Sequence, residues 1–187
     1  MKNFIFIAIL IAFSSTGSFA QKAKSKVHGK KPVAAKPVAV KTKAEDFPRE
    51  KFDPKKDPKA DLDTAVTAAS KSGKRIILDI GGEWCGWCVY MDKFFFQNPD
   101  LAKLRDDNYI WVKINMGPEN ENKAFLSSYP EIAGYPHLFV LDETGKLIQS
   151  QDTSPLEEGK GYNLARFTEF LKKWAPATKT VTDPAPY

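Results

Sequence analysis

Apolar positions along this chain change their spacing several times, and each change predicts an element. Leu62, Ala65, Val66 and Ala69 share one face of a helix over Asp61–Ser70, and Gly73 is its stop signal. Arg75–Ile80 is almost continuously apolar, with Asp79 the one polar residue inside the run, so it reads as a central strand. Gly81-Gly82 makes a turn, and Val89–Phe96 has the spacing of a helix that runs to about Gln97. Asn98-Pro99 breaks it, and Asp100 can cap a short helix through Arg105. Tyr109–Ile114 is the next strand, and a helix is expected over about 119–128. Gly134-Tyr135-Pro136 turns into the strand His137–Leu141, and Asp142–Gly145 is a hairpin signal leading into Lys146–Ile148. Residues 149–161 read as a loop. A last helix, Asn163–Trp174, puts Leu164, Phe167, Phe170, Leu171 and Trp174 on its apolar side. Strands alternating with helices and then a closing hairpin predict an α/β fold, a three-layer sandwich in which helices cover both faces of a central mixed β-sheet. The core is placed at residues 58–175, with no internal repeat.

The ends of the chain have a different character. Residues 1–20 have a basic start at Lys2, an apolar run from Phe4 to Phe13 and the small-residue pattern Ser18-Phe19-Ala20, which reads as a signal peptide cleaved near Ala20. A membrane anchor is the competing reading, but a bilayer span needs about 20 apolar residues. The expected destination is the periplasm, or secretion. Residues 21–57 read as a basic linker rich in Lys, Ala and Pro, too charged and proline-rich to fold alone. It is either a spacer or an arm with weak affinity for an anionic surface. Within it, Phe47 and Phe52 are available to pack on the domain as an edge segment. Residues 176–187 form a C-terminal tail. The formal net charge of +5 belongs to the front of the chain. Lys2 and eight lysines in 21–44, with no acid among them, carry nine positive charges, so residues 45–187 stand at −4.

The chemistry concentrates at Gly81–Cys88, which holds the only two cysteines in 187 residues. A thiol at a helix start faces unpaired N–H groups and the positive end of the dipole, which stabilises its thiolate. That makes Cys85 the attacking thiol and Cys88, one turn on, the more buried resolving thiol. Gly86 is expected to allow tight packing of the first turn, and Trp87 gives the motif a bulky interior without a titratable group. Structural zinc would need two more ligands, and His28 and His137 are the only histidines. Haem attachment needs histidine after the second cysteine, where Val89 stands. A structural disulfide stays open, although so short a loop contributes little loop-closure stabilisation. Asp79 in an apolar strand is costly unless paired, hydrated or functional. Lys113 reads either as its partner or as an outward-facing lysine. Glu83 reads as a rim charge and His137 as a strand or loop residue.

With these residues in place, the stretch Leu78–Cys88 resembles the thioredoxin superfamily, in particular its exported thioredoxin-like domains, over about residues 60–175. The resemblance implies a thioredoxin-like fold. It places Trp84 at the family's tryptophan before the first cysteine, Asp79 at a buried carboxylate that moves the proton of the resolving cysteine, and Lys113 at the lysine paired with it. It makes Tyr135-Pro136 a cis-proline loop facing the cysteines. The catalytic set is then Cys85, Cys88, Asp79 and Lys113, and the substrate-binding set is Trp84, Gly86, Trp87, Tyr135 and Pro136. The departure is Trp87, where thioredoxins have proline and the protein disulfide isomerases and strong oxidases have histidine.

The expected function is thiol–disulfide exchange with exported proteins that carry thiols or disulfides, with reduction or isomerisation favoured over net oxidation. No cofactor and no metal are expected. A membrane-linked redox partner is expected to recharge the pair, since no nicotinamide or flavin motif is present. No nucleic-acid partner is expected. The rival reading is a non-enzymatic thioredoxin-like binding module or chaperone whose disulfide is inert.

Overall fold

A computed structural model of the chain describes residues 47–177. The signal segment, the basic arm through residue 46 and the tail from residue 178 lie outside the described residues. Helix α1 is Pro58–Ser72. The Asp57 carboxylate accepts hydrogen bonds from the N–H groups of Lys59 and Ala60, and Pro58 starts the helix where its missing N–H costs nothing. Gly73 ends it in the left-handed region at φ 72° and donates its N–H to Ala69 O. The remaining elements are β1 (Arg75–Gly81), α2 (Gly86–Gln97), α3 (Pro99–Asn108), β2 (Tyr109–Asn115), α4 (Lys123–Leu126), β3 (His137–Leu141), β4 (Leu147–Asp152), β5 (Glu157–Glu158), β6 (Gly161–Tyr162) and α5 (Leu164–Lys173).

The main sheet has the order β2-β1-β3-β4, with β1 parallel to β2 and antiparallel to β3, and β4 antiparallel to β3. It is the mixed sheet that the alternation of elements predicted. Side chains on successive strand residues point to opposite faces, so the sheet divides the core in two. Ile77, Leu138 and Val140 pack with Met91, Phe95, Leu101, Phe167, Phe170 and Leu171 from α2, α3 and α5. Ile76, Leu78, Ile80, Phe139 and Leu141 pack with Ala65 and Ala69 of α1 on the other face. The central strands β1 and β3 are buried on both sides, which is why their sequences are apolar without alternation.

Three stretches differ from the sequence reading. The helix expected over 119–128 is only Lys123–Leu126, because Gly117 and Asn120 pair as an isolated bridge and Asn122 takes a left-handed conformation before it. The expected loop 149–161 is mostly ordered: β4 continues to Asp152, a 3₁₀ turn covers Ser154–Leu156, and β5 and β6 form a small hairpin that buries Leu156 and Tyr162. Leu164 does not join the apolar face of α5 but is exposed at its first turn.

Residues 47–57, grouped on composition with the linker, pack on the domain, as the edge-segment reading of Phe47 and Phe52 allowed. Phe52 is only 3% exposed and Arg49 is held by two carboxylates. Local composition carries no information about these long-range contacts.

Candidate active site

Strand β1 ends beside the first turn of α2, and the two glycines between them are required by close approach. A Cβ on Gly81 would lie 2.5 Å from Cys88 Sγ, and one on Gly82 would lie 2.5 Å from Trp84 Nε1 and 3.0 Å from Met116 O. Cys85 is the N-cap of α2, and its Sγ accepts a hydrogen bond from the Cys88 N–H at 3.1 Å. Cys85 and Cys88 form a disulfide with Cα atoms 5.3 Å apart. Cys85 is 4% exposed and Cys88 is fully buried, so only Cys85 offers solvent an edge. Gly86 does not serve tight packing as the sequence reading expected. A Cβ there would meet nothing within 4 Å, because this first turn faces open space.

Aromatic residues rim the pair. Trp84 is 55% exposed, yet its Nε1–H donates to Met116 O at 2.6 Å, which fixes the ring's orientation. Its ring meets Tyr135 edge to face at 5.6 Å. The Tyr135–Pro136 peptide is cis, and Thr153 Oγ1 donates to Pro136 O at 2.9 Å from the start of the 3₁₀ turn. Tyr135 packs against the cluster formed by Phe52 and the two cysteines, and burial pushes its hydroxyl pKa upward. Trp87 lies between Tyr90 and Tyr162, edge to face with both. The ordered stretch before α5 therefore reaches the motif, since Tyr162 Oη also donates to Trp87 O at 3.3 Å.

Beneath the pair lies charge. Asp79 is fully buried, one pleat below Gly81 on the same face of β1. Its Oδ2 accepts from Lys113 Nζ at 3.0 Å and from Trp111 Nε1 at 3.2 Å, while Oδ1 has no hydrogen-bond partner. The register that pairs Asp79 with Lys113 across β1 and β2 sets this contact, so Lys113 does not point outward. Lys113 Nζ also donates to Asp92 Oδ1 at 2.7 Å. Burial works against the Lys113 charge, but the flanking Asp79 and Asp92 carboxylates raise its pKa above the ordinary lysine value. Asp92 moves upward too, because burial outweighs the attraction of Lys113. His137 is buried in β3 with Nε2 2.8 Å from Ser150 Oγ and Nδ1 unpartnered, and burial lowers its pKa.

The structure thus gathers Cys85, Cys88, Trp84, Trp87, Tyr135 and Pro136 at one end of the sheet, with Asp79 and Lys113 below them. It adds Asp92 and Arg49, which the sequence reading left out, and it seats Phe52 against the cysteines. Asp92 was in principle readable, since it stands four residues after Cys88 and so on the same helical stripe. Arg49 and the seat of Phe52 against the cysteines depend on long-range contacts with no local signal. Among the described residues, no group of three or more His, Cys, Asp or Glu could hold a metal ion, and no helix is long and apolar enough to cross a membrane.

Comparison with known proteins agrees with this geometry. A family model described as thioredoxin-like matches residues 57–143. The thiol:disulfide interchange protein DsbD of Colwellia psychrerythraea is 28% identical over 96 residues, 51% of this chain and 16% of its own length. The protein of the same name from Actinobacillus pleuropneumoniae is 27% identical over 105 residues, 56% of this chain and 18% of its own. This chain therefore spans less than a fifth of the length of these relatives. A solved disulphide isomerase from Xylella fastidiosa Temecula1 superposes with a TM-score of 0.57 at 22% identity, covering 65% of this chain and 94% of that one, a likeness of fold. The mixed sheet and the cysteine pair capping α2 are the thioredoxin-like fold, and residues 57–143 match the thioredoxin-like family model.

Proposed function

We propose that the protein is a thiol–disulfide oxidoreductase that exchanges disulfides with exported proteins through Cys85 and Cys88, working in the reducing or isomerising direction. The observation that carries this reading is the placement of a Cys85–Cys88 disulfide at the N-terminus of α2, against the Tyr135–Pro136 loop and above a buried carboxylate–lysine pair. In the reduced protein, the Cys85 thiolate attacks one sulfur of a substrate disulfide. That bond breaks, a mixed disulfide forms, and the leaving thiolate takes up a proton. Cys88 then loses its proton and attacks Cys85 Sγ, closing the Cys85–Cys88 bond and releasing the second substrate thiol. Two electrons pass to the substrate. A dithiol donor, linked to the membrane in this proposal, must return them.

Asp79 is assigned the proton of Cys88. It is fully buried, one of its carboxylate oxygens has no partner, and Lys113 keeps a positive charge beside it. Trp84, Trp87, Tyr135 and Pro136 are assigned the substrate face, with Gly86 leaving room at the first turn. The likeness to proteins named for thiol:disulfide interchange supports exchange chemistry, and Trp87 between the cysteines, in place of a titratable residue, favours the reducing direction. The test is dithiothreitol-dependent insulin reduction by the wild type and by Cys85→Ser. The wild type should accelerate insulin precipitation and the variant should not. Equal rates would leave a binding module with an inert disulfide.

A further inference from the structure

The segment ahead of α1 is laid along α2, in the reverse direction, at three anchor points. Phe52 packs against Cys85 and Cys88, Arg49 Nη1 donates to Asp92 Oδ2 at 3.2 Å, and the Phe47 ring lies 5.5 Å from the Phe96 ring. Cys88, Asp92 and Phe96 are four residues apart, so they form one stripe of the helix. Eight helical residues cover about 12 Å, and the five steps from Phe47 to Phe52 can span about 17 Å when extended. The strap therefore reaches all three anchors without strain. Its fourth contact is with the redox loop itself. Both carboxylate oxygens of Glu83, two residues before Cys85, accept from Arg49, at 2.9 and 2.6 Å, and Oε1 also accepts from the Phe52 N–H at 3.0 Å. The Phe52 ring also lies 4.2 Å from Lys113 Nζ. One short segment thus touches the loop before the cysteines, both cysteines, and the cation and outer carboxylate of the buried group.

We propose that residues 47–52 are a working part of the redox site, in which Arg49 is a positioning residue that holds Glu83 and Asp92 and sets the electrostatic balance at Cys85. The inference deepens the oxidoreductase reading and rests on it. The charged groups of this network are Glu83 from the loop, Asp79 from β1, Lys113 from β2, Asp92 from α2 and Arg49 from the strap, with Lys51 of the strap also acting on Glu83 and the titratable Tyr135 packed on the cysteines. Although burial works against the Glu83 charge, Arg49 and the Phe52 N–H keep its pKa below the usual glutamate range. It is therefore an anion at neutral pH, and Arg49 is its counter-ion. Neutralising Arg49 leaves Glu83 and Asp92 with less positive charge beside Cys85, which disfavours the thiolate. Neutralising Glu83 leaves Arg49 in excess, which favours it.

The two substitutions must then act in opposite senses, which simple loosening of the site would not produce. The test is the pH profile of Cys85 alkylation in the reduced full-length protein, read by mass spectrometry, with circular dichroism as the check on folding. Arg49→Gln should move the midpoint up by at least about half a pH unit, which is about threefold less thiolate below the midpoint. Glu83→Gln should move it down, the double variant should return near the wild type, and Arg49→Lys should lie closer to the wild type than Arg49→Gln. An unchanged midpoint in Arg49→Gln, or shifts of the same sign in Arg49→Gln and Glu83→Gln, would overturn the proposal. Should Arg49→Gln not fold, the Glu83→Gln and Arg49→Lys profiles decide it, because a downward shift in the first is still required. Alkylation needs no substrate. Loss of the exchange reading would appear as an inactive wild type in the insulin assay, separately from these shifts.

Discussion

The two sides of the cysteine pair are built from different chemistry. The outer rim is aromatic and partly open to water: Trp84, Trp87, Tyr90 and Tyr135 offer π faces and edges, held by contacts to backbone carbonyls and to one another. The inner floor is charged and closed: Lys113 donates to both Asp79 and Asp92 beneath Gly81 and Phe52. In the proposed function the rim is the substrate face, and its aromatic groups would give binding little dependence on pH. A floor of this kind contributes nothing to substrate contact but controls where protons and charge can reside. The difference implies that changes to the rim should appear in substrate affinity and changes to the floor in pH dependence and stability. Only the two sulfurs should affect everything at once.

The largest expected effect is at the sulfurs. Cys85→Ser should abolish exchange, whereas Cys88→Ala should accumulate a mixed disulfide with substrate, visible as a reducible adduct on non-reducing gels. Next is Lys113→Met, which removes the cation that bridges the buried Asp79 and the half-buried Asp92. Breaking such a buried group typically costs about 3–5 kcal/mol, to be read as a lower urea midpoint at pH 7. Burial raises the Asp92 pKa, so the part of the loss that comes from its ionised carboxylate should shrink as the pH is lowered. Asp79→Asn keeps the shape and removes the proton acceptor. A positioned acid–base group contributes on the order of 10²-fold or more, so the resolving step should slow by about that factor in single-turnover kinetics. A rim variant that matched this loss in rate with no change in KM would break the division between the two sides. Trp84→Ala should act on the rim alone, raising KM several-fold with a smaller change in kcat.

The smallest effect belongs to His137, which lies in neither group. Its pKa is lowered from 6.5 by burial, with Asp152 opposing, so the unfolded chain binds more protons in the window just below 6.5. Stability tied to this residue is therefore fully present above about pH 6.5, the unfolded value, and is lost as the pH falls from there through the lowered folded value. His137→Gln should flatten the urea midpoint between pH 7 and 5 relative to the wild type.

The sequence made the floor's two strand residues and the rim readable for different reasons. Asp79 stood out as a polar residue inside an apolar strand, and Lys113 is four residues into the neighbouring strand at the register that pairs them. The two cysteines and the Tyr135-Pro136 turn carried the rim through their residue types. Asp92 was readable only through its four-residue spacing from Cys88, because a single acid on a helix next to phenylalanines otherwise has the same local pattern whether it faces water or a buried lysine. Phe52 read as a residue able to pack on the domain, but its seat at the cysteines and the role of Arg49 were hidden more deeply, in a stretch whose prolines and charges read as linker and whose partners stand 31 to 43 residues away. The helix expected over 119–128 failed on a local conflict, since residues that favour a helix there follow an Asn-rich turn that uses its side chains to hydrogen-bond the backbone.

The central claim, that Cys85 and Cys88 are a working redox couple, is tested most directly by equilibrating the protein with graded glutathione buffers and counting alkylated cysteines by mass spectrometry. Exchange chemistry in the reducing or isomerising direction predicts one two-electron transition between about −270 and −180 mV, the span from thioredoxin to protein disulfide isomerase. A pair that stays oxidised below about −300 mV would be a structural disulfide and would contradict it.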